Sequence, residues 1–333
     1  MKKILVTGGA GYVGSILLRK LISHNYHVVC IDNLRFTGES LLDIWQHPHF
    51  FFHHCDITDY NEINKVFNKY KIFAVIHLAA IVGDPACKRE PELAKKINGD
   101  ASNFLLEKSI QNQVERFIFA STCSNYGKMK ETDGYVNENS HLAPVSLYAR
   151  LKVDFENKIL SEKQSSFYPT ILRFATVYGL SHRMRFDLTV NEFTKELSLG
   201  RELIVFGEQF WRPYCHVLDF SNAMLTVLNT PKEKVAYEVF NVGSTQENYT
   251  KSMIVEELVK QIPNSRIKFV VKEEDPRDYR VDFSKIQQNL NFSISKTVPE
   301  GIQEIHQVIQ SKVIGHPDNQ KYYNIPYEAP KNV

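Results

Sequence analysis

Tyr148 and Lys152 stand four residues apart in Tyr148-Ala149-Arg150-Leu151-Lys152, a spacing that puts a phenol and an amine on one face of a helix. A phenol with a pKa of about 10 is a poor base at neutral pH. An ammonium one turn away favours its phenolate, and the pair can then take a proton from an alcohol. Plain surface pairs share this spacing, and the five residues by themselves do not choose between the two readings.

A second constellation supplies what an alcohol oxidation needs. Gly8-Gly9-Ala10-Gly11-Tyr12-Val13-Gly14 follows the apolar run KILVT and opens a segment of helical spacing. Gly8, Gly11 and Gly14 allow a tight turn, close approach of a pyrophosphate and close packing of helix on strand. The helix start at Tyr12 and Val13 offers unpaired N–H groups to phosphates. Asp32 ends the next strand, about 20 residues on, where a carboxylate binds both hydroxyls of an adenosine ribose and repels a 2′-phosphate. This favours NAD over NADP, with Arg35 the one neighbour pulling the other way. Asp56-Ile57 is placed to meet the adenine edge, an exposed loop aspartate being the plainer alternative. Leu78, Ala79 and Ala80 end a strand with side chains that let a dinucleotide approach, whereas His77 reads as a packed strand residue. The positive nicotinamide ring would add to the charge of Lys152, which would also hold the nicotinamide ribose.

The elements that must position these groups alternate along the first half. Strands are expected at KILVTG, HVVCID, FFFHHCDI, FAVIHLAA, RFIFAST and, as a single strand, YPTILRFATVYG. Helices are expected at GSILLRKLISHNY, NEINKVFNKY, NFLLEKSIQNQ and SLYARLKVDFENKILSEKQ. Buried strands alternating with helices argue for a parallel sheet covered on both faces, and right-handed crossovers make it doubly wound. The expected fold is therefore α/β, a Rossmann sheet over residues 1–180. Short strands ELIVFG, EVFNVG and IKFVVK fall in a smaller lobe over 181–315, some segments of which are expected to return to the first domain, and 316–333 form an irregular tail. Apolar residues at 43% and a net charge of +2 with scattered Lys and Arg give no reason to expect a nucleic-acid or membrane surface. The five cysteines lack CxxC or framework spacing, nothing suggests a metal centre, and glycines break the N-terminal apolar run too early for a signal peptide. A reduced cytoplasmic protein is expected.

Together the pieces TGGAGYVGS, Asp32-Asn33, Asp56-Ile57, HLAA, Asn98, STCSNYG, YARLK, RFATVYG and RPYCHVLD resemble the extended short-chain dehydrogenase/reductases, in their NAD-dependent sugar-nucleotide epimerase/dehydratase branch. The resemblance runs to DPRDYRVDFSK, near residue 285. It implies that Asn33 and Asn98 serve the cofactor, and that Thr122, five residues before Gly127, bonds the reacting C4 oxygen and relays its proton to Tyr148. Ser121 and Ser124 would line the same ledge. In the 4,6-dehydratases of this branch an Asp-Glu pair follows the threonine; here Cys123 and Ser124 stand there, and neither is a good acid for expelling water. The resemblance thus implies C4 oxidation of a nucleoside-diphosphate sugar, as a 4-epimerase or a 4-dehydrogenase. A 4,6-dehydratase, a 4-keto-sugar reductase and a non-catalytic NAD-binding protein are the alternatives. Thr176 replaces a frequent asparagine at a sugar or phosphate contact. Arg212 and Arg277 suit a diphosphate clamp, with backbone N–H groups at Asp187-Leu188 and a polar contact from Asn191. Arg183 and Arg185 lie at the expected cleft mouth as solvated residues. The segment AAIVGDPAC would pass over the sugar. Helices near 100–113 and 148–163 match those that pair in homodimers of the family, and surface polysaccharide synthesis is the expected pathway.

Overall fold

The computed structural model describes residues 2–129, 134–163, 165–271 and 277–326. Within them lie strands β1 (Lys3–Thr7), β2 (His27–Asp32), β3 (Phe50–His54), β4 (Ala74–His77), β5 (Arg116–Thr122), β6 (Tyr168–Phe174), β7 (Thr176–Tyr178), β8 (Glu202–Phe206), β9 (Trp211–His216), β10 (Glu238–Val242), β11 (Asn248–Thr250) and β12 (Arg266–Val270). Seven of them form one parallel sheet in the order β10-β6-β5-β4-β1-β2-β3. Its strands are apolar on both sides because helices cover both faces. Ile4, Val6, Val28 and Ile118 join one core with Leu17, Leu21, Phe220 and Met224. Their neighbours Leu5, Val29 and Phe117 turn the other way, toward Ile63, Leu105, Phe155 and Ile159. β1 pairs with β2 on one side and β4 on the other, so the strand order reverses there. The carboxyl ends at this switch point open a crevice, and Gly8, Asp32 and Leu78 follow or end these strands.

One strand expectation is corrected. YPTILRFATVYG is two strands, not one: β6 stays in the main sheet, while β7, after Ala175, pairs with β9 in a three-stranded sheet with β11. The chain leaves the main sheet here and crosses to a different layer. EVFNVG is a strand as expected, β10, and is a segment that returns to the first domain, extending the main sheet beside β6. β8 and β12 form a separate parallel pair. Their apolar residues Leu203 and Val205 pack with Val190, Leu197, Ile254, Leu258 and Ile302 from three helices. The helix Val298–Gln310 starts with a capping box between Thr297 and Glu300, which satisfies two end groups reciprocally.

The segment 316–326 is tied down. Buried Lys195 donates to Asp318 (3.0 Å) and to the Tyr323 hydroxyl (2.8 Å). Residues 327–333, the rest of the expected tail, lie outside the described residues, as do Asp275 and Pro276 of the DPRDYR motif. All five cysteines are buried free thiols. Among the described residues no helix is long and apolar enough to cross a membrane, and no group of three or more His, Cys, Asp or Glu could hold a metal ion.

Candidate active site

A cavity of about 530 Å³ runs from the crevice at β1 and β2 to the strands beyond β6. Its floor is the glycine turn. Gly8 has φ +73°, and a Cβ there would meet the Ala79 backbone nitrogen at 2.8 Å; one on Gly14 would meet the Gly8 carbonyl oxygen at 2.2 Å. The first bond of the following helix runs from Ser15 N–H to Gly11 O (2.9 Å), so the amides of Tyr12, Val13 and Gly14 have no acceptor within it. No side chain caps this end. The Tyr12 side chain leaves the floor, its hydroxyl donating to the Gly179 carbonyl (2.5 Å).

Asp32 is fixed by two backbone donors, Ala10 N–H (3.0 Å) and Leu34 N–H (2.8 Å), and burial raises its pKa. Asn33 donates to Asp56 (2.7 Å), joining two residues assigned to one end of the cofactor. Arg35, the argument for a 2′-phosphate, is paired with Glu90. Ile57, Leu78, Ala79 and Ala80 line the cavity. Thr7 Oγ1 accepts from the amides of Leu78 and Ala79 (3.2 Å each). His77 is packed between Thr7 and Ser102, and burial brings its pKa down to about 3.

Thr122, Tyr148 and Lys152 all line the cavity. Thr122 ends β5 and its Oγ1 accepts from the Ser124 amide (3.1 Å), which leaves its proton to donate elsewhere. Ser146 caps the helix Leu147–Ser161 that carries the other two, accepting from Ala149 N–H. Lys152 Nζ donates to the Ala120 carbonyl (2.7 Å) and sits 4.5 Å from the centre of the Phe119 ring. Burial brings the Lys152 pKa down to about 8 and pushes Tyr148 above the usual phenol value. Each group is disfavoured as a lone charge in this cleft, and the Lys152 amine stands 5.8 Å from the Tyr148 ring centre.

The polar ledge past β5 divides in two. Ser121 lines the cavity, yet its hydroxyl donates to buried Glu156. Glu156 also accepts from Asn125 (2.8 Å) and pairs with buried Arg173 (2.6 Å). Tyr126 continues the network to Asn241 (2.7 Å). Cys123 turns away from the cavity, its thiol donating to the Arg173 carbonyl (3.2 Å), and burial raises its pKa well above the usual thiol value. Only Ser124 follows Thr122 into the cavity, where it hydrogen-bonds Tyr279.

Thr176, Asp187, Leu188, Arg212 and Arg277 also line the cavity. Arg212 lies 5.4 Å from the Tyr279 ring centre, and Arg277 pairs with Asp84 (2.9 Å). The Asp187 carboxylate is taken by Arg185 in a two-pronged bond (2.9 and 2.8 Å). The helix Thr189–Ser198 begins after Leu188 without a side-chain cap. Asn98 and Asn191 do not line the cavity; both brace its walls. Asn98 bonds both backbone groups of Ile81 (2.8 and 2.9 Å), and Asn191 accepts from Gly179 N–H (2.9 Å) while donating to the Arg185 carbonyl (2.8 Å).

Asp84, Tyr279 and Arg183 are among the lining residues that went unassigned in the sequence. Asp84 lies in AAIVGDPAC and accepts from Ser146 (2.6 Å); Tyr279 lies in DPRDYR. Arg183 is not solvated: it is 3% exposed, and Arg185 is buried beside it. No short-range spacing marks any of the three.

Residues 4–243 match the NAD dependent epimerase/dehydratase family. The chain belongs to that family. As a member it is an NAD-dependent enzyme, and the glycine cradle, the free helix amides and Asp32 fit the cofactor. Among relatives, a dTDP-glucose 4,6-dehydratase of Neisseria meningitidis is 28% identical, covering 91% of this chain and 92% of its own. A UDP-glucose 4-epimerase of Thermotoga maritima, solved with UDP-glucose, superposes with TM-score 0.82 at 28% identity, covering 93% of this chain and 99% of its own. A UDP-glucuronic acid 4-epimerase of Bacillus cereus, solved with UDP-glucuronic acid and NAD, gives TM-score 0.82 at 26% identity over the same shares. Family members of this kind thus include both epimerases and dehydratases.

Proposed function

We propose that the enzyme oxidises the C4 hydroxyl of a nucleoside-diphosphate sugar and gives either the 4-epimer or the 4-keto sugar. NAD, when bound, supplies the hydride acceptor. Thr122 donates to the C4 oxygen and relays its proton to Tyr148, the base. Lys152 supplies the positive charge beside it. Arg212 and Arg277 hold the diphosphate together with the amides after Leu188. Residues 1–180 carry the cofactor and the catalytic groups, and 181–315 contribute most of the substrate contacts.

The observation that carries this reading is the ledge after Thr122. The next side chain is turned into the core and the one after it is a hydroxyl bonded to Tyr279, so an elimination of water has no acid there. A 4,6-dehydratase is the second reading, supported by relatives of that name. We further propose a cytoplasmic homodimer engaged in surface polysaccharide synthesis. Half-buried Phe104, Leu151 and Leu160 on the helices Ser102–Gln111 and Leu147–Ser161 support the pairing, and light scattering after gel filtration tests it.

The deciding experiment mixes NAD-loaded protein with UDP-, GDP-, CDP- and dTDP-sugars, following reduced nicotinamide by absorbance and products by mass. Lasting NADH with loss of two hydrogens identifies a 4-dehydrogenase. An isomer of unchanged mass identifies an epimerase. Loss of water overturns the proposal in favour of a dehydratase.

A further inference from the structure

Arg183 is an anomaly for a cationic side chain. It is 3% exposed and lines the cofactor end of the cavity. Its Nη1 donates to Asn324 (2.6 Å) and its guanidinium lies 4.2 Å from the centre of the Phe36 ring, on the loop after β2. Nε and Nη2 are buried with no hydrogen-bond partner among the described residues. Buried donors without acceptors are costly, and more so on a charged group. Burial and the neighbouring Arg185 bring its pKa down to about 10, against the opposing pull of Asp187 and Asp32. Asp32 is close enough to act on it electrostatically yet makes no hydrogen bond to it.

We propose that Arg183 is a cofactor-binding residue: a small rotation of its side chain turns the buried Nε–H and Nη2 donors into the cavity that the residue lines, where they bind oxygens of the adenosine-diphosphate half of NAD. A guanidinium matches phosphate oxygens geometrically. Arg183 follows β7, outside the main sheet, and is backed by Asn324 near the end of the described chain. Cofactor binding therefore adds a contact to the hydrogen bonds by which Gly179 and Ser181, after β7, already meet Tyr12 and Ser15 beside the glycine turn. This inference rests on NAD as the cofactor and is independent of which sugar is oxidised.

Calorimetric titration of Arg183→Met and Arg183→Lys with NAD and with ADP, alongside melting of the ligand-free proteins, tests it. Arg183→Met is expected to weaken NAD and ADP alike by about 10- to 100-fold, the range for a lost charge-assisted hydrogen bond, with Arg183→Lys in between. The ligand-free melting temperature should hold or rise, because an unpaired buried charge is removed. A merely structural arginine would lower it. Unchanged affinities, weakening of NAD but not ADP, or a fall in ligand-free stability would each overturn the proposal. If wild-type protein bound no NAD, the cofactor assignment would fall and this inference with it; normal wild-type binding with an indifferent Arg183→Met would sink the inference alone.

Discussion

Lys152→Met is expected to change stability with a pH dependence that reports the strain on the buried ammonium. Lys152 is 5% exposed and has one carbonyl acceptor and two rings, Phe119 and Tyr148, for company. Burial lowers its pKa from 10.5 to about 8. A folded-state value below the unfolded one means that the charge opposes folding. The penalty is full below about pH 8 and disappears as pH rises through the unfolded value of about 10.5. The gap corresponds to about 3 kcal/mol at pH 7 and to about 1 kcal/mol at pH 9.5. Wild type should therefore gain about 2 kcal/mol on the methionine variant between those two pH values. Urea unfolding of both proteins at both pH values, followed by circular dichroism, measures the difference, and subtraction cancels every group they share. Parallel curves, with a gap changing by less than about 0.5 kcal/mol, would refute the reasoning. A change of the opposite sign would mean that the ammonium is stabilised by an acid in the fold, with Glu156 the nearest candidate. The strain has a use. A phenolate at Tyr148 and an ammonium at Lys152 are each disfavoured alone in this cleft, and each supplies the charge that the other lacks.

Tyr148→Phe should keep the folded spectrum and lower turnover by about 100- to 10,000-fold, the usual contribution of a general base; the sugar-nucleotide assay with the active substrate checks it. Glu156→Gln keeps an acceptor oxygen for Ser121 and Asn125 but leaves Arg173 buried without its counter-charge, so stability measured by urea unfolding should fall by at least about 3 kcal/mol. Replacing Arg212 and Arg277 together by alanine should abolish nucleotide-sugar binding in calorimetry while NAD still binds; unchanged sugar-nucleotide affinity would remove both from the diphosphate site.

The cofactor turn, Asp32, the Tyr-Lys pair and most strands were legible because each depends on short-range spacing. A glycine turn between a strand and a helix, or two residues on one helical face, carries its own geometry. What escaped depends on partners distant in sequence. Nothing local separates β6 from β7 at Ala175, since the break exists only because β9 offers a new edge. Arg183 looks like one of several surface cations until Asn324, 141 residues on, and Phe36 enclose it. Ser121 was read as facing a ligand, and it does line the cavity; its bond to Glu156, 35 residues away, could not be seen from a row of small polar residues.

The reaction outcome turns on where acids are free. Four carboxylates line the cavity among the described residues: Asp32, Asp56, Asp84 and Asp187. Asp32 holds two backbone amides, and Asp56 holds Asn33 and the Thr58 amide. Asp84 is shared by Ser146 and Arg277, and Asp187 is gripped by Arg185 with the Asn324 amide behind it. Despite burial, the donors around Asp56 and Asp187 hold both below the usual carboxylate pKa, and an ionised carboxylate cannot protonate a leaving hydroxyl. Tyr279, the hydroxyl beside Ser124, has its pKa raised by burial, which makes it a weaker acid still. On the proposed reading, Thr122, Tyr148 and Lys152 provide for proton removal at C4, whereas these carboxylates offer no good acid for delivering a proton to a leaving group. That imbalance favours oxidation at C4 without elimination.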